Sequence, residues 1–241
     1  CLFMGRAYEV RKASIQKTGA QKAKLYTNYA KEIYLTAKKG SPDIESNVAL
    51  KRLVEKAKKE QVPSDIINRA IDKAKGMGGE DYEVVTYEGF GPGASTLIIR
   101  TLTDNVNRTV GMVRAAFNKV HKSLGVNNSV SYNYDYLALI GIKDVNEEEV
   151  FNALLEAGIE PVDFETEDGM TLISVTPSEH NKVKDVLEKL YPDINYEIDE
   201  EGMYAKEKIT LEGEELETFQ KLYHMLDEID DVTDIYHNVI L

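Results

Sequence analysis

Apolar side chains recur at helical spacing through the first third of the chain. In residues 20–39, AQKAKLYTNYAKEIYLTAKK, Tyr26, Ala30, Ile33 and Ala37 fall on one face, and Gly40 and Pro42 stop the run. A second stripe of Leu50, Leu53, Val54 and Ala57 starts near Asn47 and ends before Pro63. Ser64 can cap a third, in which Ile67, Ala70, Ile71 and Ala74 recur at three and four residues. The stretch GMGGED from Gly76 breaks the pattern as a flexible joint. The expectation is a basic three-helix bundle over residues 4–76.

The period then changes to two. Glu83 to Glu88 and Ser95 to Thr103 alternate as strands around the Gly-Pro-Gly turn at 91–93. A helix follows, with Asp104, Asn105 or Asn107 as its cap and Val106, Val110, Val113, Phe117 and Val120 as its buried stripe. Ser129 to Asp135 alternates again as a strand. Residues 138–199 read strand, helix, strand, strand, helix, strand, the ferredoxin-like order, with Asp168-Gly169 as the central hairpin turn and Pro192 ending the second helix. A strand, helix and strand at Tyr204–Leu211, Glu214–Asp227 and Val232–Val239 are orphans unless they rejoin residues 80–135. The predicted fold class is therefore α+β and multi-domain. It has a helical domain at 4–76, a discontinuous α+β domain at 80–137 plus 203–241, and an inserted ferredoxin-like α+β domain at 138–202.

Charge alters this picture more than composition does. Hydrophobic residues make up 42% and charged residues 29% of 241, and no apolar run approaches membrane-spanning length, so the expected protein is globular and without a membrane span. Cys1 is the one cysteine, which excludes a disulfide framework or thiolate metal cluster and fits a reducing cytoplasm. Cys1 to Phe3 precede a plausible start at Met4 and carry no assigned chemistry. The net charge is −13, yet residues 1–76 hold 17 Lys and Arg against 8 Asp and Glu, and the remainder holds 12 against 34. A basic end on an acidic chain is the footprint of a module that meets an anionic partner.

Candidate contacts follow from that asymmetry. Arg11, Lys12, Lys17, Lys22, Lys24, Lys31, Lys38 and Lys39 are nucleic-acid-facing candidates, with Lys51, Arg52, Lys56, Lys58 and Lys59 further along. A solvated helix face is equally lysine-rich, and Tyr26, Tyr29 and Tyr34 could stack bases or pack the core. In the segment 107–118, Asn107, Arg108, Arg114 and Asn118, with Gly111, lie opposite the Val/Phe stripe, where Arg can fork onto phosphate and Asn can reach bases or sugars. The glycines at 89, 91 and 93 resemble a phosphate cradle, but they lead into an apolar strand and no Gly-Lys-Ser/Thr follows, so they read as a turn. His121, His180, His224 and His237 lack ligand spacing, and the acidic runs at 147–149, 199–201 and 227–231 read as solvated charge. No catalytic, metal or cofactor residues are assigned, and no enzyme or small-molecule substrate is expected.

With KLYTNYAKEIYLTAKKG, VPSDIINRAIDKAKG, YEGFGPGA, TLTDNVNRTV, VRAAFNK and LGVNNSVSYNYD in order, the chain resembles the YebC family of probable transcriptional regulatory proteins, in its branch that begins Met-Gly-Arg. A mitochondrial translational activator of cytochrome c oxidase is a relative. The resemblance implies a helical domain plus two α+β domains, the last inserted in the second, and no cofactor. It implies a cytoplasmic nucleic-acid-binding regulator of gene expression, and it leaves two levels open. One is transcription through DNA; the other is a ribosome-associated factor that relieves stalling at stretches such as consecutive prolines. An enzyme is a distant third class.

Overall fold

A computed structural model describes residues 22–79 and 81–241. Three helices come first: α1 (Lys22–Lys39), α2 (Val48–Lys59) and α3 (Ser64–Lys75). Asn47 caps α2, its side-chain oxygen accepting the Leu50 N–H at 3.1 Å, while its Nδ2 donates to Ser41 O at 2.8 Å and so secures the turn out of α1. Ser64 is the first residue of α3 rather than its cap, because Pro63 holds the extended cap position and its ring cannot continue a helix backwards. The apolar stripes meet in one core of Ile33, Tyr34, Ala37, Leu50, Val54, Ala57, Ile67 and Ile71. Tyr34 belongs to it and stands edge-on to Tyr82 with ring centroids 5.8 Å apart, and Tyr29 donates to Glu60 at 2.7 Å. Tyr26 and Tyr29 pack partly against the same core, so these tyrosines serve the bundle.

The central α+β domain is built on an antiparallel sheet of order β3-β1-β2-β8, with β1 at Glu83–Phe90, β2 at Thr96–Thr103, β3 at Ser123–Leu124 and β8 at Val232–His237. Helices α4 (Val106–Lys119) and α7 (Gly213–Asp227) cover one face, packing Val113, Phe117, Phe219, Leu222 and Leu226 on Leu97 and Ile99. Arg100 alternates with Ile99 and so projects from the other face, where its guanidinium meets Glu32 of α1 at 2.7 Å. Both faces of β2 are thus covered, which explains why Leu97, Ile98 and Ile99 are buried in succession. Gly89 stands under the Phe117 ring; a Cβ there would lie 2.4 Å from it. Gly93 takes φ +59° in the turn that Ser95 closes, donating N–H and hydroxyl to Pro92 O at 3.1 and 2.6 Å. The buried row of α4 is Thr109, Val113, Ala116 and Phe117; Val106 and Val110, expected in the stripe, are only half-buried at its margin.

The inserted unit, Tyr132–Glu207, has β4 (Tyr134–Lys143), α5 (Glu147–Glu156), β5 (Asp163–Glu167), β6 (Met170–Val175), α6 (His180–Leu190) and β7 (Tyr196–Ala205). Its sheet order, β5-β6-β4-β7, is all antiparallel and ferredoxin-like. Two expected strands are absorbed into it. Only Tyr134 and Asp135 of the 129–135 alternation are strand, because the N–H groups of Asn128, Val130 and Ser131 are taken at 2.6, 3.0 and 2.7 Å by the Glu88 carboxylate and cannot ladder. Likewise Tyr204 and Ala205 end β7, and of 206–211 only Ile209 bridges, to Val239.

Candidate nucleic-acid interface

Three of the lysines singled out in the sequence, Lys24, Lys31 and Lys38, are seven residues apart, so each step brings them back to within about 20° of the same line on α1. Each of the three pairs with an aspartate of the same chain. Lys24 binds Asp227 through its backbone oxygen and, at 3.5 Å, its carboxylate. Lys31 reaches Asp231 Oδ1, Leu102 O and Asp230 O, each at 3.4 Å, and its side chain is 12% exposed. Lys38 meets Asp81 at 3.0 Å and lies over the Tyr34 ring. Lys24 and Lys31 thus have internal partners at the acidic end of α7 and the start of β8. Lys38 is exposed and shares its charge with an exposed aspartate, an arrangement of little energetic weight.

Asp231 gathers the largest set of internal polar contacts around these cations. Burial alone would push its carboxyl pKa up, but hydrogen bonds from Arg108 and Thr109 and the charges of Lys31 and Arg108 outweigh that and hold it below the usual carboxylate range. Arg108 Nη2 lies 3.1 and 2.9 Å from the two carboxylate oxygens and 2.8 Å from Asp104, and Thr109 Oγ1 lies 2.9 Å from Asp231 Oδ2. Arg108 is therefore a clamp across the foot of α4, with its side chain still 45% exposed. The aspartate was hidden in an acidic run that reads as solvated; the available signal is its place directly before the apolar start of β8.

What remains on α4 is narrower and more coherent. Asn107, Gly111, Arg114 and Asn118 recur at steps of four, three and four, are all exposed, and leave Arg108 about a quarter-turn away. A side chain at Gly111 would meet nothing, so a ligand backbone has room to approach. Asn105 caps the helix, accepting the Arg108 N–H at 3.0 Å, which releases Asn107 from that duty. On the helical domain, Lys22, Lys39 and Lys58 are exposed and form no ion pair with another of the described residues, and Lys22 lies on the side of α1 opposite the Lys24 line. Lys38 and Lys39, then Lys56, Lys58 and Lys59, then Lys73 and Lys75 stand in the last turns of α1, α2 and α3, where the helix dipole favours cations. Arg11, Lys12 and Lys17 lie outside the described residues.

The histidines separate by surroundings. His180 has Nε2 2.7 Å from Asp199 and Nδ1 2.8 Å from Glu201, so both nitrogens donate when the ring is protonated. Burial works against the cation, but the two carboxylate hydrogen bonds win and the net pKa is raised. Burial instead depresses His237 to about 4, with the charge of Lys208 contributing, and its Nδ1 accepts the Val239 N–H at 3.2 Å. Among the described residues no cluster of three His, Cys, Asp or Glu is arranged to hold a metal ion, and no helix is long and apolar enough to cross a membrane.

The model of the TACO1/YebC protein N-terminal domain matches residues 6–77, and that of the TACO1/YebC second and third domain matches residues 82–239. A probable transcriptional regulatory protein of Chromohalobacter salexigens is 44% identical over 238 residues, covering 99% of each chain. One from Acholeplasma laidlawii is 48% identical over 240 residues, covering 98% of each. The crystal structure of a conserved hypothetical protein from Aquifex aeolicus aligns with a TM-score of 0.73 at 33% identity, over 92% of this chain and 91% of that one.

Proposed function

We propose that this chain, which belongs to the TACO1/YebC family, is a regulator of gene expression that acts by binding nucleic acid, with transcription through DNA as the first reading. The observation that carries it is the charge partition: residues 1–76 are +9 in a chain of −13. Phosphate neutralisation by such a module supplies affinity without sequence reading, and the Asn107, Arg114, Asn118 face offers the adaptable donors that position a backbone. The names of the relatives support the regulatory role.

Gel-shift titration of the full chain with duplex DNA, beside co-sedimentation with ribosomes at the same salt, tests it. Binding to duplex should fall steeply with salt. Arg114→Ala and the pair Lys22→Ala with Lys39→Ala should each lower affinity and flatten the slope by about one unit per charge removed. Binding to ribosomes alone would move the action to translation, and no salt-dependent binding to either polymer would sink the proposal.

A further inference from the structure

The inserted unit carries the acidity of the chain. Residues 132–207 hold 20 Asp and Glu against 5 Lys and Arg, and the 38 residues from Asp144 to Asn181 hold 11 carboxylates and no lysine or arginine. Such a surface repels a phosphate backbone, so this unit needs another kind of partner. In the middle of the cation-free stretch, α5 already buries Val150 and Leu154 in the core and yet exposes Phe151 by 38% and Leu155 by 46%, four residues apart on one face. Phe151 packs edge-on against Phe164 of β5 at 5.2 Å, and Val162, two residues before Phe164 on the same extended segment, is 54% exposed. A shallow groove runs between Val145, Phe151 and Phe164, with Glu147 and Glu148 at its lip.

The charge of this rim is only partly explained by the helix. Glu147 and Glu148 stand in the first turn of α5, where the dipole favours them. Glu156 is the last helical residue, Glu160 follows shortly after, and no basic residue stands in the last turn, so these carboxylates oppose the dipole. Acid at both ends of an exposed apolar stripe is a pattern that a cationic amphipathic partner completes: its apolar side chains cover Phe151 and Leu155 while its cations meet Glu147 and Glu148 at one end and Glu156 and Glu160 at the other.

We propose that this face of the inserted unit is a docking site for a basic polypeptide segment, an amphipathic helix of a protein partner rich in lysine or arginine. The unit then contributes protein contact while the basic helical domain contributes nucleic-acid contact, and one chain bridges the two.

The test uses the full chain and a synthetic Leu/Lys amphipathic helix of roughly 18 residues, long enough to span the stripe, read by fluorescence anisotropy. Binding is expected to weaken at least about tenfold in Leu155→Gln, a half-exposed position whose substitution leaves the melting temperature unchanged. Phe151→Gln should weaken it further, at some cost in stability through Phe164. The charge variant Glu148→Gln, Glu156→Gln, Glu160→Gln should weaken binding and flatten its salt dependence. Equal binding by wild type and both the Leu155 and charge variants would overturn the proposal. So would equal affinity for a Lys/Gln peptide of the same charge, which would leave charge alone. A chain that self-associates in sedimentation and disperses on Leu155→Gln would assign the face to a second copy and also overturn it.

Discussion

Two carboxylates are buried in the central domain, and they are neutralised in opposite ways. Glu88 is held by backbone: three loop N–H groups, at 128, 130 and 131, close on it, and Gly125 donates to its carbonyl at 2.8 Å. Burial pushes its pKa up, but the bonds from Val130, Asn128 and Ser131 overcome this and leave it lowered. Asp231 is held by cations, Arg108 from α4 and Lys31 from the helical domain. The first arrangement fixes one loop and draws on no other charge. The second ties two domains together and engages two basic residues within the chain. A basic residue therefore has no fixed meaning until its counterion is known.

The sharpest way to break this comparison is Asp231→Ala. Removing one side of a buried ionic cluster leaves Arg108 and Lys31 facing a hole, and a loss of about 3–5 kcal/mol is expected by urea unfolding. If the two clusters differ as argued, the same variant should bind duplex DNA more tightly under native conditions, since its cations are released; unchanged affinity would show that they are inaccessible even when freed. Glu88→Gln should cost less, about 1–3 kcal/mol, because the amide oxygen still accepts one or two of the loop N–H groups. Its effect should be confined to the loop at 126–131, read as hydrogen exchange there.

Acid should expose both sites together. Each carboxyl has a lowered folded pKa, so the stability each contributes is present above the unfolded carboxylate pKa and disappears as pH falls through the folded value. Glu88→Gln should flatten the acid limb of a melting-temperature profile, and an unaltered limb would contradict the assignment. Arg108→Ala comes next, with a smaller loss than Asp231→Ala, since Lys31 and Thr109 still serve Asp231. Arg114→Ala, on the open face of α4, should stay within about 0.5 kcal/mol. Equal losses for the two arginines would erase the distinction between clamp and open face.

The inserted unit supplies a titration of opposite sign. His180 has a raised folded pKa, so its contribution is complete below the unfolded histidine pKa and is lost as pH rises through the folded value. His180→Gln should therefore lower stability by about 1 kcal/mol near pH 5 and by less at pH 9. A penalty independent of pH would mean that the ring is held by shape alone.

The apolar periodicity of this chain determined most of what its local elements are. The stripes of α1, α2 and α3, the ferredoxin-like order of 138–199 and the Gly-Pro-Gly turn were legible because each depends on neighbours a few residues away, and helix or strand spacing records such neighbours directly. The strand expected at 129–135 was not legible, since it is prevented by a carboxylate some forty residues earlier. Thr109 was overlooked as a buried position because one partner of its hydroxyl, Asp231, lies 122 residues ahead. The charge partition was likewise open to reading in the sequence, but which of the basic residues remain exposed was not. Charge is a sum over residues and can be counted along the chain; neutralisation is a pairing in space. Only the tertiary structure brings Lys24, Lys31 and Arg108 to Asp227 and Asp231, and so only it tells which cations are paired within the chain.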